Sequence, residues 1–142
     1  MQLNSAGINL IRTYEGCRLV AYQDQGGIWT IGFGTTGPDI VDGIVWTQDQ
    51  AEARLESDLN RFAVGVSNVL ANDIGDNRFS ACVSLAYNIG LTAFATSHLC
   101  ILLNGGDYTD AAAEFPKWDH CNGQVVHGLL NRRLAEQKLF LS

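Results

Sequence analysis

A chain of 142 residues with 46% hydrophobic content and a formal charge of −6 is one globular domain's worth, long enough to bury roughly two-thirds of the surface it exposes unfolded. Its acidity argues against a nucleic-acid partner, whose phosphates call for a basic surface, and no apolar run reaches the length of a bilayer span. Met1-Gln2-Leu3-Asn4-Ser5 lacks the basic-then-apolar order of a signal peptide, so the chain is not expected to export itself. Cys17, Cys82, Cys100 and Cys121 include no Cys-x-x-Cys pair and no histidine at ligand spacing, which argues against a zinc site. Free thiols are expected, with Cys82 and Cys100 acting as small core hydrophobes.

In chain order, Ser5 is placed to cap a short helix whose apolar residues are Ile8, Leu10, Ile11 and Tyr14. Gly16 is placed to end it. Leu19 to Phe33 reads as two short strands around Asp24-Gln25-Gly26-Gly27, and Gly34 to Gly43 as a loop. Thr47-Gln48-Asp49-Gln50 is a capping box that opens the clearest helix of the sequence. Its apolar stripe runs through Ala51, Leu55, Leu59, Phe62, Val66 and Val69; a helix reaching about Ala71 would be roughly 35 Å long. The rest is helical in pattern: Phe79–Ile89, Thr96–Leu103, Asp110–Glu114, an interruption at Pro116, and a last helix over about Leu129–Phe140. The expected fold class is α+β and mostly helical, in a single domain. A small hairpin lobe would cover about residues 13–46 and a linking helix about 48–71. A helical lobe would cover about 72–142 together with the N-terminal helix.

The chemistry concentrates in residues 15–34. Glu15 falls in the last turn of the first helix, where the negative end of the helix dipole disfavours a second negative charge and pushes a carboxyl pKa up. A general acid needs that in order to hold its proton near neutral pH. Asp24 follows nine residues later, at the entry to the hairpin turn, and Thr30 six residues after that. If Asp24 pairs with Ile28 across a three-residue loop, Thr30 shares its face of the ribbon, and a carboxylate and a hydroxyl can hold one water between them. A two-residue loop would put Thr30 on the opposite face. Two carboxyl groups flanking a water are the equipment of an inverting glycosidase. By spacing alone, a glutamate at a helix end and an aspartate in a turn are more often solvated than catalytic.

Glu15-Gly16-x-Arg18-Leu19-x-Ala21-Tyr22-x-Asp24-x-x-Gly27-x-x-Thr30-Ile31-Gly32-x-Gly34 resembles the active-site signature of the phage-type lysozymes, glycoside hydrolase family 24, in particular the endolysins of lambdoid-type phages. The likeness continues through Ser84-Leu85-Ala86-Tyr87-Asn88-Ile89-Gly90, Asn104-Gly105-Gly106-Asp107-Tyr108, Trp118, and Gly128-Leu129 with Arg132, Arg133 and Glu136. The resemblance implies a lysozyme-like two-lobe fold. It also implies hydrolysis of the β-1,4 bond between N-acetylmuramic acid and N-acetylglucosamine in peptidoglycan. In that scheme Glu15 is the proton donor, Asp24 the second catalytic carboxylate, and Thr30 helps to place the attacking water. The implied partner is the peptidoglycan glycan strand, met by a monomer without cofactor or metal. The family also implies a protein that waits in the cytoplasm of the producing bacterium until it is released to the wall.

Further candidates carry two readings each. By resemblance Asn88 faces the cleft and can hydrogen-bond a sugar acetamido group, or it caps its helix. Trp29, Phe33 and Trp118 either stack on sugar faces or, as these spacings favour, pack in the core. Arg132 or Arg133 either pairs with Glu15 and sets its pKa or forms a surface ion pair with Glu136. His98, His120 and His127 have no evident partners and read as structural or solvent-facing. The chain departs from the family pattern at Thr35, where a histidine is usual, so an ion pair which that histidine can make is expected to be absent. Two rival functions are a lysozyme homologue that binds glycan without cutting it and a glycosidase directed at chitin. Intact Glu15, Asp24 and Thr30 weigh against the first.

Overall fold

The computed structural model describes residues 1–121 and 123–142. Among the described residues the chain is mostly helical, with two small antiparallel sheets. It divides into two compact units, one formed by Ile11–Arg61 and the other by Met1–Leu10 with Phe62–Ser142. No helix among the described residues is long and apolar enough to cross a membrane.

Helix α1 spans Ser5–Glu15. Its cap is Asn4, not Ser5: the Asn4 side-chain carbonyl accepts from the Gly7 amide at 3.1 Å, and the Asn4 backbone carbonyl accepts from Ile8 at 3.1 Å. An asparagine one residue earlier reaches the third amide of the helix, so Ser5 is released into the first turn. At the other end the Gly16 amide donates to the Arg12 carbonyl at 3.0 Å with a φ of +63°, a left-handed stop that suits glycine.

In the Ile11–Arg61 unit, strands β1 (Arg18–Gln23) and β2 (Trp29–Gly32) form an antiparallel hairpin. The sequence reading missed a third segment, which lies along the outer edge of β1. The Ala21 amide donates to the Ile44 carbonyl at 2.9 Å, and the Trp46 amide to the Leu19 carbonyl at 2.8 Å. The segment is too short and too flanked by glycine and aspartate to show a strand period. Helix α2 then runs from Gln48 to Val69, 22 residues or about 33 Å. It opens with the expected capping box, Thr47 and Gln50 exchanging side-chain-to-amide bonds of 2.8 and 3.2 Å. The core of this unit is Ile11, Ile31, Phe33, Ile40, Ala51, Leu55 and Leu59.

The larger unit is built around α3 (Asp76–Ile89) and α7 (His127–Leu141). Helices α4 (Leu91–Ala95), α5 (His98–Asn104) and α6 (Tyr108–Glu114) and a 3₁₀ turn at Phe115–Lys117 complete its helical part. The predicted helix over Thr96–Leu103 starts later, because the Ser97 hydroxyl caps α5 by accepting from the Cys100 amide at 3.1 Å. A second hairpin, β3 (His120–Cys121) with β4 (Gln124–Val125), stands where only helix and breaks were read. Its two-residue strands are too short to display alternation.

Phe79, Cys82, Val83, Leu85, Phe94, Leu99, Leu103, Phe115 and Phe140 are buried, with the Phe115 and Phe140 rings 5.4 Å apart. All four cysteines are free thiols, and burial pushes the Cys82 and Cys100 thiols up. His98 and His120, expected without partners, lie beside Glu114 and Asp119 while remaining more than half exposed.

Candidate active site

Glu15 is the last residue of α1, and the left-handed Gly16 turns the chain directly from it into β1. The half-buried Glu15 side chain rests against the backbone of Gly34, whose φ is +78°. A methyl group at Gly34 would overlap the Glu15 carboxylate, so only glycine leaves the carboxylate its place. The nearby Arg12 is engaged elsewhere: its guanidinium forms an ion pair with Glu52 at 2.6 Å and lies over the Phe33 ring. The hydrogen bond from Arg12 holds the Glu52 carboxyl below the usual carboxylate range.

The hairpin adopts the three-residue loop. Tyr22 pairs with Thr30 and Gln23 with Trp29, and the Asp24 amide donates to the Ile28 carbonyl at 2.9 Å. Because side chains alternate along a strand, Tyr22, Asp24, Ile28 and Thr30 share one face, while Gln23 and Trp29 point from the other. Asp24 is exposed, yet its carboxylate is oriented. Oδ1 accepts from the amides of Gly26 and Ile28 at 2.8 and 2.9 Å, and these bonds leave Oδ2 as the oxygen open to a water. Thr30 is 4% exposed and donates its hydroxyl proton to the Ile28 carbonyl at 2.9 Å. Its oxygen is therefore left as an acceptor on the face it shares with Asp24.

Among the aromatic candidates, Phe33 is only 6% exposed and is covered by Arg12, a position in the core and not on a sugar-binding surface. Trp29 is half-buried on the hairpin face opposite Asp24.

In the other unit a single guanidinium gathers the remaining candidates. Arg133 donates to the Asn88 side-chain carbonyl at 2.9 Å and to the Trp118 backbone carbonyl at 3.5 Å. Since guanidinium is donor-only, the Asn88 atom it meets must be the oxygen, which turns the amide NH₂ of this exposed side chain outward. Trp118 is half-buried.

Arg132 and Arg133 both converge on Glu136, at 3.2 and 2.8 Å. The expected surface pair is therefore buried: Arg133 and Glu136 are 0% exposed and Arg132 3%. The Ser84 hydroxyl donates to Glu136 at 2.7 Å, and Arg132 also reaches the Ser84 carbonyl at 3.2 Å. Burial pushes the Glu136 carboxyl up, against the opposing pull of Arg133, Arg132 and Ser84.

Sequence reasoning missed Gly34 as the wall behind Glu15, and it missed the partner of Thr35. The Thr35 hydroxyl donates to Asp58 Oδ2 at 2.8 Å, with Thr35 3% and Asp58 7% exposed. Asp58 had a readable signal. It lies three residues after Leu55 and seven after Ala51, on the apolar stripe of α2, where a charge calls for a buried partner.

Comparison with known proteins identifies the family and the fold. The family model described as Phage lysozyme matches residues 12–136. An endolysin of Bacillus phage PZA is 46% identical over 144 residues, covering 100% of this chain and 56% of that protein. An endolysin of Acyrthosiphon pisum secondary endosymbiont phage 1 is 43% identical over 146 residues, covering 100% of this chain and 99% of that protein. The chain thus spans about half the length of the first of these relatives and nearly the whole of the second. Among solved structures, an endolysin from Escherichia coli O157:H7 phage FAHEc1 superposes with a TM-score of 0.88 at 35% identity, covering 100% of this chain and 94% of that one. The fold is that of the phage lysozymes, and the chain belongs to the phage lysozyme family.

Proposed function

We propose that the chain is an endolysin-type muramidase that hydrolyses the β-1,4 bond between N-acetylmuramic acid and N-acetylglucosamine in peptidoglycan, with inversion. The observation that carries this reading is the register of the β1–β2 hairpin, in which Asp24 Oδ2 and the Thr30 oxygen lie on one face. A water there donates one hydrogen to each, and its lone pair is directed away from both toward an anomeric carbon.

Glu15 transfers its proton to the glycosidic oxygen as the bond to the anomeric carbon breaks. The water oxygen attacks that carbon from the opposite face, and its proton passes to Asp24. The products are a new reducing-end N-acetylmuramic acid and a free 4-hydroxyl on N-acetylglucosamine. Proton exchange with solvent then restores an acidic Glu15 and an ionised Asp24. The outward NH₂ of Asn88 suits a carbonyl acceptor such as an acetamido group. Membership of the phage lysozyme family and an endolysin relative matched over its full length support the substrate class.

The test is release of new reducing ends from purified peptidoglycan by the wild type and by Glu15→Gln. Wild-type release that falls about 10²- to 10⁴-fold in the variant, with folding intact, is expected for loss of a general acid. Glycan binding by the wild type with no new reducing ends would leave the chain a binding protein. Cleavage of chitin in place of peptidoglycan would move the substrate and keep the chemistry.

A further inference from the structure

We infer that Thr35 and Asp58 are a positioning pair that holds Glu15 in place through Gly34, an inference that rests on the proposed role of Glu15 as proton donor. Ile31 and Thr35 exchange both of their backbone hydrogen bonds, at 3.0 and 2.8 Å. This closes a tight turn whose last enclosed residue is Gly34, the wall against which the Glu15 carboxylate rests. The turn is fastened to α2 by its own side chain, through the buried Thr35 hydroxyl bonded to Asp58 at 2.8 Å. Charge assistance makes this the strong type of hydrogen bond.

Asp58 is itself fixed. Its other oxygen lies 3.6 Å from Arg54 Nε and 3.7 Å from Arg61 Nη2. Arg54 in turn holds Asp39, farther along the same loop, at 2.8 Å. The loop after β2 is thus tied to one helix at two points, and the tie nearer Glu15 depends on one hydroxyl. Between Asp58 and the acid the path is short: Asp58 to Thr35, Thr35 to the turn, the turn to Gly34, and Gly34 to Glu15. A shift of Gly34 would move the acid with little change to surfaces that bind glycan. The pair acts on the turnover step and not on binding.

Thr35→Val removes the donor at constant shape, and Thr35→Ser keeps it. Assayed on purified peptidoglycan well below each variant's Tm, Thr35→Val is expected to lower kcat about 10- to 100-fold with KM unchanged, as for a misplaced catalytic group. Thr35→Ser is expected to restore the wild-type kcat. Wild-type kcat in Thr35→Val with only a lower Tm would overturn the inference and leave the pair structural. If Thr35→Val does not fold, Asp58→Asn, which keeps an acceptor but removes its charge, is expected to show a smaller fall in kcat at constant KM; an unchanged kcat there would overturn the inference too. An inactive wild type would sink the proposed function instead. In that case the side-chain carboxyl ¹³C resonance of Glu15 is still expected to shift in Thr35→Val and return in Thr35→Ser, and a resonance that stays put refutes positioning.

Discussion

Asp24 and Glu136 are both carboxylates held by several donors, and they are held in opposite ways. Glu136 is wholly enclosed, each of its oxygens turned to a guanidinium or to the Ser84 hydroxyl. Asp24 is exposed and held on one side only, by two backbone amides on the same oxygen. A carboxylate enclosed among cationic and hydroxyl groups, with no access to water, can order neighbouring segments but cannot take a proton from a substrate water. One gripped through a single oxygen keeps a defined direction and a basic atom to spare. Orientation without enclosure is what separates a chemically usable carboxylate from a structural one.

The sharpest way to break this contrast is Asp24→Asn. Asparagine retains Oδ1 as acceptor for Gly26 and Ile28, so the loop is expected to keep its shape and the protein its stability to within about 0.5 kcal/mol. The rate of reducing-end release from peptidoglycan is expected to fall about 10²- to 10⁴-fold, because the amide nitrogen is no base. A comparable loss of stability would mean that Asp24 belongs with Glu136.

Glu136→Ala is the converse. It strands two buried guanidinium groups, and denaturant unfolding is expected to show a loss of about 3–5 kcal/mol. Arg133 would also lose the carboxylate that fixes its hold on Asn88 and Trp118. A loss below about 1 kcal/mol would show that water or rearrangement supports the arginines.

Acid gives the smallest effect and distinguishes the carboxylates by sign. The Arg54 hydrogen bond holds Asp39 below its ordinary value, and Arg12 does the same to Glu52. Asp73 is held down by the Gly75 amide and the N-terminal ammonium. For Glu114, burial pushes upward but the hydrogen bonds from Lys117 and His98 prevail. These four contribute stability that is present above their ordinary values of 3.8 to 4.5 and is lost as pH falls through the lowered ones. Glu136, raised by burial, has the opposite sign: it favours the folded state as pH falls toward 4.5. Thermal unfolding against pH is therefore expected to show Tm declining below about pH 4.5, and Glu136→Gln is expected to lose the gain that Glu136 gives the wild type as pH falls toward 4.5. A Tm that stays level down to pH 3 would contradict the assignment of the four held carboxylates.

Local signals were legible in the sequence where one short segment contains its own answer. The capping box at Thr47, the stop at Gly16 and the hairpin around Asp24 all close within a few residues. The choice between two loop lengths was not legible, because either satisfies the same residues; the cross-strand bonds decide it. Long-range partners were the least legible. Nothing within a few residues of Thr35 names Asp58, 23 residues away, and nothing beside Asn88 names Arg133, 45 residues on. Yet Asp58 left a trace, a charge set on the apolar stripe of a helix. Such a misplaced charge asks for a partner before the fold is known. Gly34 left no such trace, since a signature glycine reads as a turn and says nothing of the carboxylate resting against it.

In the proposed reaction a water held between Asp24 and Thr30 attacks from the face opposite the leaving group. Proton NMR of the first products formed from purified peptidoglycan tests it most directly, by the configuration of the newly released reducing ends before they mutarotate. The α-anomer of N-acetylmuramic acid is predicted, as direct attack by water on a β-linked sugar requires. Initial release of the β-anomer would contradict the account, since it would mean two displacements and a covalent intermediate in place of the held water.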